Sequence, residues 1–364
     1  MALVVGTRPE AIKLAPVAAA LSARELLPQL VFTGQHPNLD PAEFGLVSYE
    51  AIALSCPGRA NPHRHVGEVT AAVSNVIGAT TQLIIVQGDT SSAMGGALAA
   101  AATGVPVAHV EAGLRTFDPD SPWPEEEYRT AIDAEADLLF APTLTSAANL
   151  AREEVRGTVH VTGNTSIDAL FGTLRDLPLP RPRDRTRPQL LVTCHRRENW
   201  GERLQAIAGA LVDIARSGSA TTEVLLHPNG HVADAMRKLL AGRAGIKLLE
   251  PCSHRELLQR MRMCDLILSD SGGIQEEAPA LGVPLLVMRD KTERPEGIET
   301  GNTFLVGCDR DVIVGTVQAL LSDPSRLAAM ARPALPFGDG RAAPRIAAII
   351  ERWLAARRPV RRRA

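Results

Sequence analysis

Ser269-Asp270-Ser271-Gly272-Gly273-Ile274-Gln275-Glu276-Glu277 decides how this chain is read. The stretch follows the apolar run Leu266-Ile267-Leu268, which reads as a buried strand. It opens a periodic segment, Ile274 to Leu281, that reads as a helix stopped by Gly282. Two glycines after a strand let the backbone approach a ligand closely, and the first N–H groups of the next helix point out of the turn. That arrangement suits a phosphate or diphosphate, and Glu277, one turn further in, is placed to accept from ribose hydroxyls. A nucleotide is therefore suggested, held without a Walker lysine and without Gly-x-Gly-x-x-Gly spacing. An ordinary tight turn explains the glycine pair equally well when it is taken alone, so the surroundings must decide.

Working outward, short β-branched runs alternate with longer Ala/Leu-rich amphipathic stretches, the pattern of βα units and parallel sheets. Strand candidates are Leu3-Val5, Leu30-Thr33, Leu83-Gln87, Val107-Val110, Leu138-Ala141 and Val159-Thr162. The segment from Leu177 to Pro188 carries four prolines and four arginines without periodicity and reads as a linker. A second series follows: Leu190-Thr193, Val224-Leu226, Lys247-Leu249, Leu266-Ser269, Leu285-Met288 and Phe304-Leu305. The expectation is two doubly wound α/β domains, residues 1–175 and 189–335, joined by 176–188, with a ligand cleft beyond the carboxyl ends of the strands. Residues 336–364 should form a helix packed back on the N-terminal domain, with Ile346, Ile349, Ile350, Trp353 and Leu354 on one face and a basic, solvated tail.

Composition bounds the function. The chain has 364 residues, enough for two domains, and its formal charge of -2 leaves no global footprint for nucleic acid. Five scattered cysteines (Cys56, Cys194, Cys252, Cys264, Cys308) show no Cys-x-x-Cys pair and read as reduced thiols of a cytoplasmic protein. No apolar run reaches membrane-spanning length, and Met1 to Gly6 reads as a first strand rather than a signal peptide.

Strand ends repeat one theme, acid and base groups beside helix starts. Thr7-Arg8-Pro9-Glu10 has the form of a capping box, with Glu10 read as a cap and Arg8 as an anion-binding residue at the sheet's mouth. Lys13 lies one turn on. Asp89 follows one strand and Glu111 another, while Pro122-Trp123-Pro124-Glu125-Glu126-Glu127 enters an acidic helix start. A carboxylate in such a place usually serves as a cap or faces the helix dipole. Three of them, Asp89, Glu111 and Glu125, on one sheet rim suggest acid/base chemistry. His195, flanked by Arg196 and Arg197, ends the first strand of the second series and reads as an anion or acid candidate on the opposite wall. His227 and His231 have metal-like spacing, but Pro228-Asn229-Gly230 breaks the helix that spacing needs, so no metal site is read.

These segments, with Thr162-Gly163-Asn164-Thr165, Arg294-Pro295-Glu296 and Phe337-Gly338-Asp339-Gly340, run in order along nearly the whole chain. Together they resemble the bacterial non-hydrolysing UDP-N-acetylglucosamine 2-epimerases. The resemblance implies a GT-B fold, a homodimer, no metal or nicotinamide cofactor, and interconversion of UDP-GlcNAc and UDP-ManNAc. Its chemistry expels UDP as the C2 proton leaves, forming 2-acetamidoglucal, and re-adds UDP with protonation on the other face. By that likeness Asp89, Glu111, Glu125 and His195 are catalytic, and Arg8, Lys13, Ser271, Gly272, Gly273, Glu277 and Arg294 bind UDP. No nucleic-acid or membrane partner is implied.

Two departures stand out. Leu257 occupies the segment where relatives place an aromatic near the uracil. Gln35, His36 and His227 resemble parts of a second, activating UDP-GlcNAc site, yet Asn38 stands where a longer amide is common and Pro62 to Arg64 does not align cleanly. The rival readings are a 2-epimerase of a modified UDP-2-acetamido sugar, a uronate or diamino sugar, in a surface-polysaccharide or antibiotic pathway, and a catalytically silent nucleotide-sugar-binding relative. A hydrolysing epimerase fits less well beside Pro9-Glu10-Ala11-Ile12-Lys13, and a GT-B transferase would not need this set of carboxylates.

Overall fold

Alternating side chains in the short apolar runs supply both faces of each strand, so every central strand can be covered by helices on two sides. A computed structural model describes residues 1–37, 39–178 and 187–357, with only the backbone of Arg197. The chain divides into two compact units, Met1–Phe171 with Phe337–Ala364, and Gly172–Pro336. Most of the Pro/Arg-rich segment, residues 179–186, lies outside the described residues, as do Asn38 and the basic tail from residue 358.

The first unit has a seven-stranded parallel sheet of β1 (Ala2–Val5), β2 (Gln29–Phe32), β3 (Glu50–Ala53), β4 (Ile84–Gln87), β5 (Val107–Val110), β6 (Leu138–Ala141) and β7 (Thr158–Val161). Its order is β3-β2-β1-β4-β5-β6-β7. Leu3 and Val5 enter one core with Leu14, Val17, Ile346 and Ile350, whereas Ala2 and Val4 enter the other with Val69, Ile84, Val86 and Ile132. Each fully buried branched side chain stabilises the fold by about 1.5–3 kcal/mol relative to exposure. Strand β3 is not predicted by the sequence. It is an edge strand, Glu-Ala-Ile-Ala, exposed at three of its four residues, so it carries no apolar run to betray it.

The helix Ala342–Arg357 packs on the helix Arg8–Ser22 and closes one face of this sheet. Of the face read from sequence, Ile346, Ile350 and Leu354 are buried and Ile349 and Trp353 partly so. Its first N–H groups, which have no partner within the helix, are met from a distance. Asp168 accepts from Ala342 N at 3.0 Å and Ala343 N at 2.9 Å.

The second unit has a six-stranded parallel sheet of β8 (Gln189–Thr193), β9 (Thr221–Leu225), β10 (Ile246–Leu249), β11 (Leu266–Ser269), β12 (Leu285–Val287) and β13 (Thr303–Leu305). Its order is β10-β9-β8-β11-β12-β13. Both sheets thus reverse direction once, between β1 and β4 in the first unit and between β8 and β11 in the second. In open α/β sheets that reversal is where ligands bind, because the loops on either side part to leave a crevice beyond the strand ends.

Candidate active site

In the first unit the loops after β1, β4 and β5 carry the candidate site residues. Thr7 caps the helix Arg8–Ser22 as the sequence predicts: its side chain accepts from Glu10 N, and Glu10 Oε2 accepts from Gly6 N at 2.8 Å and Thr7 N at 2.6 Å. Glu10 does more than cap. Its other oxygen accepts from Thr90 Oγ1 at 2.6 Å, across the β1/β4 reversal. Burial pushes its carboxyl up to about 6, against the pull of those hydrogen bonds.

Lys13 is 7% exposed, and its ammonium lies 2.8 and 2.7 Å from the two oxygens of Glu111. Gln87 donates to the same carboxylate. Glu111 follows β5 with a φ of 73°, a backbone conformation rare outside glycine. Such strain concentrates at functional sites, where surrounding contacts hold it in place. Those contacts are visible here. Two residues on, Gly113 has a φ of 84°, and a Cβ there would lie 2.3 Å from the Ser146 carbonyl oxygen. Beneath the turn, Asp133 accepts from His109 Nδ1 at 2.6 Å and Gly113 N at 3.0 Å, and pairs with Arg115 at 2.8 Å. Burial would raise the Asp133 carboxyl, but His109 and Arg115 outweigh it and hold the group below its ordinary value.

Asp89 is not the cap of the helix Ser91–Thr103; Thr90 fills that place and accepts from Ala93 N. Asp89 instead accepts from Arg129 Nε at 3.1 Å and from the end of the same guanidinium. Arg129 also holds Glu126 at 2.8 Å, and Glu126 accepts from Thr116 N and Phe117 N, both at 2.9 Å. Both residues are on the helix Glu125–Glu135, whose first residue is half-buried Glu125. Arg8 lies at the turn after β1, 3.6 Å from Glu43. Gln35 accepts from Ser92 Oγ at 2.7 Å, while His36 is exposed on the same loop.

In the second unit the helix starts at Gly272, two residues earlier than the apolar pattern predicts, so both glycines belong to its first turn. Ser271 is its N-cap but makes no side-chain cap hydrogen bond. A Cβ on Gly272 would meet the Arg294 guanidinium at 3.0 Å, while one on Gly273 would meet nothing within 4 Å. Arg294 is thus laid over the N-terminus of a helix whose second residue is open, a combination that favours an anion. Arg294 is steadied by Glu276 at 2.7 Å and by Glu293. Glu277 is buried, with Oε1 2.6 Å from His254 Nε2. Leu257 is half-buried on the helix His254–Met261.

His195 is half-buried after β8, with its ring centroid 5.3 Å from that of His227. Burial holds its imidazole below the usual value, with Asp270 pulling the other way. His227 precedes the helix Gly230–Leu240, capped by Asn229, and His231 lies inside that helix. Among the described residues no group of three or more His, Cys, Asp or Glu is arranged to hold a metal ion.

Arg129, Gln87, His254 and Asp270 each hold a candidate residue and are not singled out as site residues by the sequence. Asp270 was legible as an odd feature, an acid between a buried strand and a glycine pair. The others carry no local signal, since each acts on a residue far away in the chain.

Two parallel sheets, each with polar residues gathered at its reversal and one with an arginine-covered glycine helix start, define a nucleotide-handling α/β protein of GT-B-like fold. A family model described as UDP-N-acetylglucosamine 2-epimerase matches residues 19–351. The Escherichia coli K12 UDP-N-acetylglucosamine 2-epimerase is 39% identical over 366 residues, covering 94% of this chain and 96% of its own. The UDP-GlcNAc 2-epimerase of Neisseria meningitidis, solved bound to UDP-GlcNAc, superposes with a TM-score of 0.90 at 34% identity over 97% of this chain and 99% of that one. The Methanocaldococcus jannaschii enzyme, solved with UDP-GlcNAc and UDP, gives 0.84 at 32% identity over 96% and 99%. The chain belongs to the UDP-N-acetylglucosamine 2-epimerase family.

Proposed function

We propose that the protein interconverts UDP-GlcNAc and UDP-ManNAc by eliminating UDP to 2-acetamidoglucal and adding it back. The C2 hydrogen of the sugar is weakly acidic because no carbonyl adjoins it. Loss of UDP from C1 while the proton leaves avoids a free carbanion, and the step then needs a proton acceptor, a proton donor and stabilisation of the departing diphosphate. The observation that carries the reading is the Glu111 turn, a carboxylate held at strained backbone geometry by Lys13 and Gln87 in a member of this family. The ion pair presents Glu111 as a carboxylate, the form that takes a proton. Asp89 and Glu125 complete the acid/base set, and His195 contacts the phosphates or moves a proton.

UDP is held, in this reading, by Ser271, Gly272, Gly273 and Arg294 at the diphosphate, by Glu277 at the ribose and by Leu257 over the base, with Arg8 and Lys13 as further cations. Gln35, His36 and His227 are the residues proposed to contact a second UDP-sugar. The protein acts as a homodimer in the cytoplasm and supplies a polysaccharide pathway. No helix among the described residues is long and apolar enough to cross a membrane.

Proton NMR of the protein with UDP-GlcNAc in D2O tests the reaction. UDP-ManNAc carrying deuterium at C2 is expected. Product that retains protium at C2 excludes the elimination, free ManNAc with UDP indicates hydrolysis, and an unchanged spectrum with line broadening indicates binding alone.

A further inference from the structure

The register of β8 against β11 sets Thr193 opposite Ser269, and their hydroxyls meet at 2.6 Å. The next residue on β11's side is Asp270, fully buried beyond the strand end. Its Oδ1 accepts from His195 N at 2.8 Å. Its Oδ2 accepts from Arg196 N at 2.9 Å, from Asn199 Nδ2 at 2.8 Å and, more weakly, from Cys194 Sγ at 3.6 Å. One carboxylate therefore accepts from two consecutive backbone N–H groups of the turn that carries His195, and from the Asn199 side chain beyond it. The same residue is two positions before Gly272, where the Arg294-covered helix begins.

We infer that Asp270 is a positioning residue that ties the placement of His195 to the diphosphate-binding turn, so that a diphosphate settling on the helix start at Gly272 fixes the imidazole for the reaction. The inference rests on the reading of His195 as a site residue given above. The chemistry of the donors explains why an acid is required. Four donors reach the side chain, and between an acid and its amide only the carboxylate offers two accepting oxygens. An amide offers one oxygen, and its NH2 would confront either His195 N–H or the Arg196 and Asn199 donors. Hydrogen bonds to a charged acceptor are also roughly twice as strong as neutral ones, which suits holding the residues that follow β8.

Asp270→Asn is the test, read in three ways on the full-length protein: turnover of UDP-GlcNAc, UDP affinity by calorimetry, and titration of His195 followed by NMR, its signal identified by comparison with His195→Gln. Turnover is expected to fall about tenfold or more through kcat, the usual consequence of misplacing a reacting group, with UDP affinity within about threefold of the unaltered protein. His195 should titrate at lower pH, since the carboxylate that favours its charged form is gone. Unchanged kcat overturns the inference. So does a His195 titration identical to that of the unaltered protein, or a loss of kcat and UDP affinity by one common factor, which marks a structural strut. If the variant does not fold, amide hydrogen exchange on the unaltered protein decides: the His195 and Arg196 amides should be protected and slow further with UDP, and rapid exchange indifferent to UDP overturns the coupling. If the unaltered protein has no epimerase turnover, the proposed function falls, while UDP affinity, His195 titration and exchange still judge Asp270.

Discussion

Glu10 shows how one residue serves both fold and site. It closes the capping box of its own helix and reaches Thr90 across the β1/β4 reversal, fixing the Arg8 turn against the Asp89 turn. Its carboxyl sits at about 6, against 4.5 unperturbed, because burial opposes the charge. A carboxyl raised on folding binds its proton more tightly in the folded state. Its contribution to stability is therefore fully present below pH 4.5 and is lost as pH rises through 6. Chemical denaturation across this range should show the protein losing about 2 kcal/mol relative to Glu10→Gln as pH rises. A difference between the two that does not change with pH would dismiss the carboxyl as its source.

Glu111 makes the second prediction at this scale. Glu111→Gln keeps the volume and removes the ionised group facing Lys13, and turnover should fall about 10²-fold or more. UDP affinity, which in the proposed reading rests on the other unit's glycine helix start, should persist. Near-normal turnover would refute the assignment, and joint loss of UDP binding would make Glu111 a structural partner of Lys13. Gly113→Ala belongs with it. A Cβ 2.3 Å from a carbonyl oxygen at a φ of 84° forces the Glu111 turn to move, so a loss of about 1–3 kcal/mol or more in stability is expected, measured by denaturant midpoint.

Among elements, the helix Ala342–Arg357 depends on a carboxylate that lies 174 residues before its first N–H. Asp168→Ala leaves those N–H groups without a side-chain partner and should lower the stability of the first unit by about 0.5–2 kcal/mol. An unchanged thermal midpoint would show that solvent replaces the cap without penalty. The same element logic recurs at each sheet reversal. Glu10 bridges the loops after β1 and β4, and Asp270 bridges those after β8 and β11. Loops that must part to leave a crevice are each pinned by a buried acid.

For the whole molecule, each unit has its own hydrophobic cores, Leu190, Ile207, Leu211, Leu266 and Leu286 in the second and the two faces of the seven-stranded sheet in the first. Separate cores predict separable unfolding transitions. If UDP rests mainly on the second unit, UDP at a hundred times its dissociation constant should stabilise that transition by about 2.7 kcal/mol and the other by less. Calorimetry with and without UDP measures this, and Asp168→Ala labels the first unit's transition by lowering it. Equal movement of both transitions would mean that UDP is held as firmly by the first unit.

Local features of the chain were settled by the sequence. The capping box at Thr7, the βα turn at Gly272, the apolar face of the last helix and the alternation that makes two parallel sheets all depend on residues within a turn or two of one another. Their signals survive in a linear reading because backbone hydrogen bonding and side-chain periodicity are short-range. Edge strand β3 escaped because an exposed strand needs no apolar pattern. The partners of the candidate residues were decided only by tertiary structure. Lys13 meets Glu111 across 98 residues, Arg129 meets Asp89 across 40, and Asp270 meets His195 across 75. Each pair exists because the sheets place β1 beside β4, β4 beside β5, and β8 beside β11. A hydrogen bond reaches about 3 Å, so it forms only when strand order brings its two ends together, and strand order is a property of how all the cores pack at once.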